Sequence, residues 1–186
     1  MDVHGPYTPR PSDDAWLALV RAILFQQLAG PAANSIRRKW FAFYGDEDAP
    51  PSAQQILATT DEEFRACGVS RQKTGYFRDL AEHVADGRLQ LERLHRLNDE
   101  QVTSALTQVK GIGEWTAHMH LMFHLGRPDV LPIGDLGVRK GMQVAYELSA
   151  MPTPREVAEL GAKWAPYRSV ASWYMWQAVD TLIPDD

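Results

Sequence analysis

Amphipathic helical segments follow one another along nearly the whole chain, and this periodicity most constrains the fold. Residues 12–29 begin the pattern, with Ser12 or Asp13 as the expected N-cap. Their apolar side chains recur three and four positions apart, at Trp16, Leu19, Val20, Ile23 and Leu24. Because no short run of alternating β-branched or aromatic residues predicts a strand, an all-α fold is expected.

Capping residues and helix breakers divide the rest of the chain, so that about ten short helices are expected in all. Pro31 suits a first helical position and Asn98 an N-cap. The further helices are expected near residues 31–44, 52–58, 60–67, 70–85, 98–109, 114–125, 135–148, 153–164 and 168–182. The chain has 186 residues and 45% of them are apolar, which is enough to form a sizeable core.

Composition excludes several classes of protein. The single cysteine, Cys67, excludes an internal disulfide framework and an iron–sulfur site with four cysteine ligands. The sequence contains no apolar run of membrane-spanning length and no secretory signal pattern, so we expect a soluble, cytoplasmic monomer, associated with the nucleoid if bacterial. A net charge of −5 disfavours a nucleic-acid partner only mildly, because basic clusters such as Arg37–Lys39 and Arg139–Lys140 interrupt the acidic chain.

The turn Gly111-Ile112-Gly113 separates two of the expected helices and follows Lys110. Glycines here allow close approach of another backbone, and the amides at the start of the second helix favour an anion. Such a turn can hold one DNA phosphate without reading the base sequence. An ordinary helix–helix connection explains the same glycines.

Four segments in order decide between these interpretations. They are Val20–Ala29, Lys110–Ala117, Leu131–Gly141 and Trp164–Trp176. Together they resemble the helix–hairpin–helix (HhH-GPD) superfamily of DNA base-excision glycosylases, and within it the 3-methyladenine DNA glycosylase II, or AlkA, type. The resemblance implies a helical core of two lobes, residues 31–135 and residues 1–30 with 136–186, without the N-terminal β domain of the AlkA type.

Asp135 is the candidate catalytic residue. Taken alone, it is interpreted as the N-cap of the following helix. In the resembled family, the aspartate at this position faces the anomeric carbon of a flipped nucleotide. A carboxylate there can stabilise the positive charge that develops on the sugar and orient the attacking water.

The resemblance also implies a base pocket formed by Trp115, Met119 and Trp176. Trp176 matches the family's base-stacking tryptophan, whereas Met119 stands where the AlkA type has a tyrosine. Members that also cut the DNA strand carry a lysine at the position of Trp115, which forms a Schiff base with the sugar. A tryptophan cannot do so, and a monofunctional enzyme is expected. Core packing is the alternative role for both tryptophans.

Two further elements follow from the resemblance. Gln27 and Leu28 occupy the place of the wedge that fills the gap left by the flipped base, where the AlkA type has leucine. The hairpin, with Lys110, Gly111, Ile112 and Gly113 as its phosphate contacts, matches one that holds a structural Na⁺ or K⁺ through backbone carbonyls, here those of Thr107, Val109 and Ile112.

Other readings of the same residues remain open. His120 and His124 are spaced as a metal pair would be, but no carboxylate or cysteine partner is evident, and no cofactor is expected for catalysis. The expected activity is excision of 3-methyladenine or 7-methylguanine from double-stranded DNA. A non-catalytic DNA-binding module, or a glycosylase for deaminated or mismatched bases, is the alternative.

Overall fold

The computed structural model describes Gly5, Tyr7 and residues 14–182. Within these residues it contains ten α-helices and no strand, which confirms the all-α prediction. They are α1 (Ala15–Phe25), α2 (Gly30–Ala42), α3 (Ala53–Ala58), α4 (Asp61–Ala66), α5 (Arg71–Ala85), α6 (Asp99–Leu106), α7 (Glu114–Met119), α8 (Leu136–Ala145), α9 (Pro154–Gly161) and α10 (Arg168–Leu182). None of the described helices is long and apolar enough to cross a membrane.

Side-chain caps set the helix starts. Four helices begin with a capping box, in which the cap and the residue three positions later bind each other's backbone amides. The four caps are Ser52, Thr60, Asn98 and Thr153. Asp14 caps α1 by accepting a hydrogen bond from the Leu17 amide at 2.8 Å. The predicted caps of this helix, Ser12 and Asp13, lie outside the described residues.

The predicted helix 114–125 is not regular. α7 ends at Met119, and the chain continues as a π-helical turn, His120–His124. A π turn accommodates an extra residue and changes the direction in which the following side chains point. Two short 3-10 helices, Leu91–Arg96 and Ala162–Trp164, complete the helical elements of the described residues.

The chain forms two compact units. The described residues from 14 to 120 form the hairpin unit, and Gly5, Tyr7 and residues 121–182 form the aspartate unit. These boundaries differ from the predicted lobes, which grouped residues 1–30 with 136–186. The difference arises because α1 packs against α5 and α2, and because the loop that precedes Asp135 is bound to α10.

α5 is the central helix of the hairpin unit, since α1, α3 and α4 all pack against it. Trp40 of α2 lies at the centre of an aromatic cluster in the core. Its ring centroid is 4.4 Å from that of Phe77 on α5 and 5.8 Å from that of Phe64 on α4. All three side chains are buried, so they give the unit a rigid interior.

The aspartate unit is built on the close pairing of α8 with α10. Gly141 lies at the contact, where a Cβ would sit 2.0 Å from the carbonyl oxygen of Met175. Beside this contact, Val138, Met142 and Val157 form a buried core. The two helix backbones can therefore approach each other only because position 141 has no side chain.

The loop at residues 127–130 is bound to the start of α10. Arg168 donates to both carboxylate oxygens of Asp129, at 2.7 and 2.8 Å. The Ser169 hydroxyl donates to the Arg127 carbonyl at 2.7 Å and accepts from the Val130 amide at 2.9 Å. These bonds fix the path of the chain as it approaches Asp135.

Replacing Gly141 with alanine is expected to lower the free energy of unfolding by roughly 2–3 kcal/mol, because the added methyl group meets backbone rather than a movable side chain. Chemical denaturation measures the change. Gly75→Ala is the matched control, since a Cβ there meets nothing within 4 Å. Because Gly75 lies inside a helix, its replacement by alanine is expected to raise the free energy of unfolding by up to about 1 kcal/mol. Equal effects at the two positions would contradict the packing argument.

The stabilising effect of the Asp129–Arg168 pair is expected to vanish in acid. Hydrogen bonds from Arg168 hold the pKa of the Asp129 carboxyl below its ordinary value. The pair therefore stabilises the fold above the pKa of the unfolded state, about 3.9, and this contribution is lost as the pH falls through the pKa of the folded state. Asp129→Asn is expected to cost roughly 1 kcal/mol at neutral pH, with the difference shrinking in acid. Denaturation curves of the unmodified protein and of Asp129→Asn at several pH values test this prediction. A difference in the free energy of unfolding that does not depend on pH would refute it.

Candidate functional site

Asp135 lies at the N-terminus of α8 and its side chain is largely buried. Its Oδ1 atom accepts two hydrogen bonds of 2.7 Å each, one from the Val138 amide and one from Nε1 of Trp176 on α10. The carboxylate is thus an N-cap, as the sequence predicts, and it is also held by a second helix. Because two donors converge on one oxygen, the orientation of the carboxylate is fixed.

Gly137 makes this arrangement possible. A Cβ at position 137 would lie 2.5 Å from Cδ1 and 2.9 Å from Nε1 of Trp176. The indole therefore reaches Asp135 through space that any other residue at 137 would fill. The need for Gly137 could not be predicted from the sequence, because the close approach depends on α10, which is distant in sequence.

Phe123 is a second residue that the sequence analysis missed. Its ring stacks on that of Trp176, with centroids 5.9 Å apart and an angle of 29° between the ring planes. The Phe123 side chain is 42% exposed although it is large and apolar. It lies within the irregular π turn, and the sequence gives no signal for that turn. Asp135, Trp176 and Phe123 thus form one aromatic–carboxylate cluster within the aspartate unit.

The turn after α6 holds the predicted phosphate contacts. Gly111 has φ of +85°, and a Cβ there would lie 2.3 Å from the Tyr76 ring, so the position requires glycine on two counts. The amides of Gly111 and Gly113 donate no hydrogen bond within the part of the chain that the structure describes. These amides are therefore available to an anion.

The backbone of Lys110 is anchored by Asp79 of α5. Asp79 accepts a hydrogen bond from the Lys110 amide at 2.8 Å, and its carboxylate lies 3.6 Å from the Lys110 ammonium. The Lys110 side chain is nevertheless 78% exposed. Its backbone is thus anchored while its charge faces solvent.

α7 carries two of the predicted pocket residues. Trp115 is 52% exposed, and half-buried Met119 follows it by four residues, so both lie on the same side of the helix. Burial lowers the pKa of His118 on the same helix, which favours its neutral form. His120 and His124 are buried, and among the described residues no group of three or more His, Cys, Asp or Glu side chains could hold a metal ion.

The predicted wedge residues lie in the turn between α1 and α2. Gln27 is exposed and has φ of +56°, a left-handed conformation that costs an ordinary residue roughly 1–2 kcal/mol. Leu28 follows with its side chain 36% exposed. The side-chain amide of Gln26 donates to the Gly111 carbonyl at 2.8 Å. The structure thus joins the wedge turn directly to the hairpin turn.

The backbone after α6 is compatible with the proposed monovalent cation. The carbonyls of Thr107, Val109 and Ile112 belong to one short connection between α6 and α7. The Val109 carbonyl accepts a hydrogen bond from the Ile112 amide at 3.0 Å, which occupies one of its two lone pairs. Oxygen atoms of this kind are suitable ligands for a hard cation, and the cation remains a prediction.

The all-helical fold, the glycine turn and the buried capping aspartate define a known class of protein. The chain belongs to the HhH-GPD superfamily of base excision DNA repair proteins, whose sequence model matches residues 20–167. This confirms the resemblance found in the sequence.

Individual relatives are similar over most of the chain. DNA-3-methyladenine glycosylase 1 of Schizosaccharomyces pombe is 36% identical over 177 residues, which cover 93% of this chain and 77% of the relative. The solved structure of a 3-methyladenine DNA glycosylase from the same organism, in complex with abasic DNA, matches with a TM-score of 0.81 and 36% identity, over 94% of this chain and 86% of that one. A DNA-3-methyladenine glycosidase from Bacillus halodurans matches with a TM-score of 0.82 and 35% identity, over 95% and 80% of the two chains.

Proposed function

We propose that this protein is a monofunctional DNA glycosylase that removes N-alkylated purines, such as 3-methyladenine and 7-methylguanine, from double-stranded DNA in base excision repair. The observation that carries the proposal is the buried carboxylate of Asp135, oriented by the Val138 amide and the Trp176 indole in a chain of this family. The relatives named above support the same reaction, since their names describe 3-methyladenine glycosylases.

The proposed reaction is hydrolysis of the bond between the base and the deoxyribose. The bond breaks with its electron pair leaving on the base, so a cationic alkylated purine departs as a neutral molecule. Positive charge develops at the anomeric carbon, and the Asp135 carboxylate stabilises it. A water molecule then adds to that carbon and gives up one proton, for which the carboxylate is a suitable acceptor.

The aromatic–carboxylate cluster offers a place for the base. Purines alkylated at N3 or N7 carry positive charge, and a cationic ring is attracted to aromatic faces. Trp176 and the exposed ring of Phe123 present such faces in the aspartate unit. Trp115 and Met119 belong to the hairpin unit, where their side chains reach the surface of α7, and their proposed role in base binding rests on the family resemblance.

The identity of residue 115 supports a monofunctional enzyme. Strand cleavage by a Schiff-base mechanism needs an amine at the sugar, and tryptophan has none. The expected product is an abasic site in an intact strand. Reduction with borohydride should therefore trap no covalent complex between the protein and its DNA.

Two elements of the hairpin unit are assigned to DNA binding. The turn Lys110–Gly113 has two unengaged amides and an exposed ammonium, which suit a backbone phosphate. Gln27 and Leu28 are exposed in the adjoining turn and are proposed to fill the space left by the flipped base. A monomer in the cytoplasm is sufficient for this activity.

Replacing Asp135 with asparagine is expected to reduce base release at least roughly 100-fold, because the negative charge that stabilises the developing cation is lost. Asparagine still accepts hydrogen bonds from Val138 and Trp176, so the fold and the affinity for DNA should persist. Chromatography of bases released from methylated duplex DNA, with fluorescence anisotropy for binding, measures both quantities.

Asp14→Asn is the matched control, since Asp14 also caps a helix, but at the start of α1 in the hairpin unit. It is expected to leave base release unchanged. Full activity of the Asp135 variant would remove that residue from the mechanism. If the unmodified protein binds DNA but releases no base from methylated, deaminated or mismatched duplexes, the hairpin is a DNA-binding module without catalysis. Release of deaminated or mismatched bases alone would indicate the other glycosylase class.

Replacing Lys110 with glutamine is expected to weaken binding to all duplexes equally and to reduce the slope of log K against log salt concentration by about 1, since one phosphate contact is lost. Titrations at several salt concentrations measure the slope. Lys163→Gln is the control, because Lys163 is exposed in the aspartate unit and lies over the Tyr146 ring. An unchanged slope for Lys110→Gln would show that its ammonium stays with Asp79 rather than binding phosphate.

A further inference from the structure

The turn that carries the wedge has a specific backbone geometry. Gln26 has φ of −54° and ψ of 130°, Gln27 has φ of +56°, and the Leu28 amide donates to the Phe25 carbonyl at 3.3 Å. These are the features of a type II β-turn with Gln27 as its third residue. That position favours glycine, because a residue with a Cβ is disfavoured at positive φ. Something outside the turn must therefore hold Gln27 there.

Lys73 on α5 supplies the external contact. Its ammonium donates to the carbonyl oxygen of Gln26 at 2.8 Å and also to that of Leu24, near the end of α1. The side chain is half-buried, and this burial lowers the pKa of the ammonium. A desolvated ammonium needs acceptors, and the carbonyls at the end of a helix are well placed to provide them.

The orientation of the Gln26 carbonyl distinguishes the two common turn types. Type I and type II turns differ by a rotation of the central peptide, here the one joining Gln26 to Gln27. In type I the third residue has φ of about −90°, which a glutamine adopts without strain. A hydrogen bond from Lys73 to the Gln26 oxygen holds the peptide in the orientation of type II, and so keeps Gln27 at positive φ.

We propose that Lys73 is the positioning residue of the wedge: by binding the carbonyls of Leu24 and Gln26 it selects the type II turn and thereby directs the side chain of Gln27. This inference rests on the proposed function for its consequence at DNA, but the turn geometry stands apart from any activity. Lys73 itself is assigned no contact with the base or the sugar.

The bond between Gln26 and Gly111 completes the arrangement. The Gln26 side chain donates to the Gly111 carbonyl while the Gln26 backbone carbonyl accepts from Lys73. One residue thus connects the wedge turn, the hairpin turn and α5. Both contacts therefore fix Gln26 relative to the hairpin turn and α5.

The first test is structural and uses Lys73→Met, which removes the charge and keeps the length of the side chain. NMR spectra report the turn type through the contact between the Gln26 Hα and the Gln27 amide proton, which is strong in type II and weak in type I. The contact is expected to weaken in Lys73→Met and to persist in the control Lys163→Met. An unchanged type II pattern in Lys73→Met would overturn the proposal.

The second test measures the consequence at DNA. Single-turnover excision from methylated duplex is expected to fall roughly tenfold in Lys73→Met, on the scale of one hydrogen bond to a charged group. Fluorescence of 2-aminopurine placed beside an abasic analogue should rise less than with the unmodified protein, because the wedge unstacks its neighbours less. Binding to undamaged duplex and its salt slope should not change. A slope reduced by about 1 would make Lys73 a phosphate contact and overturn its positioning role.

Chemical rescue separates the charge from the general effects of substitution. The only cysteine is the buried Cys67, so Lys73→Cys in a Cys67→Ala background offers one thiol. Alkylation with bromoethylamine restores an ammonium at position 73, whereas iodoacetamide adds a neutral group. Restored turn geometry and excision with the first reagent alone would support the proposal, and equal recovery with both would refute it. If the unmodified protein releases no base, the proposed function fails, while the NMR comparison still decides the role of Lys73 in the turn.

Discussion

A single oxygen atom, Oδ1 of Asp135, binds the N-terminus of α8 and the Trp176 indole of α10 at once, and the rest of the aspartate unit is arranged around this junction. Gly137 leaves the space through which the indole passes, and Gly141 lets the two helix backbones meet. The loop that leads to Asp135 is held by Arg168 at the start of α10. The same contacts that stabilise the unit therefore determine where the carboxylate points.

In the hairpin unit, one face of α5 plays the corresponding role. Lys73, Tyr76 and Asp79 follow one another at intervals of three residues and so lie along one side of the helix. Lys73 binds the wedge turn, Tyr76 packs against Gly111, and Asp79 binds the Lys110 amide. The buried aromatic cluster around Trp40 supports the same helix through Phe77. A single rigid element thus places both turns that we assign to DNA.

Features that depend on neighbouring residues could be predicted from the sequence. The all-α fold and the capping role of Asp135 are confirmed, because periodicity and N-caps are local properties. The family followed from four segments in the right order, and the sequence match confirms it.

Features that depend on distant contacts could not be read in this way. The exposure of Phe123 follows from an irregular π turn, and the need for Gly137 arises from α10. The role of Lys73 could not be identified from the sequence either, since its carbonyl partners are more than forty residues away. The two compact units differ from the predicted lobes for the same reason, because the partner helices of α1 cannot be identified from its own sequence.

The left-handed backbone of Gln27 restricts which side chains can occupy this position of the proposed wedge. Residues branched at Cβ, such as valine, isoleucine and threonine, are the least compatible with positive φ, so they are poor substitutes at this position. Unbranched side chains remain, and among them a long amide combines reach with hydrogen bonding on both its oxygen and its nitrogen. A homologue with a branched residue here would need a different turn, and with it a different partner for the helix that now supplies Lys73. The residue at position 27 and the residue of α5 that holds its turn are thus expected to change together during divergence of the family.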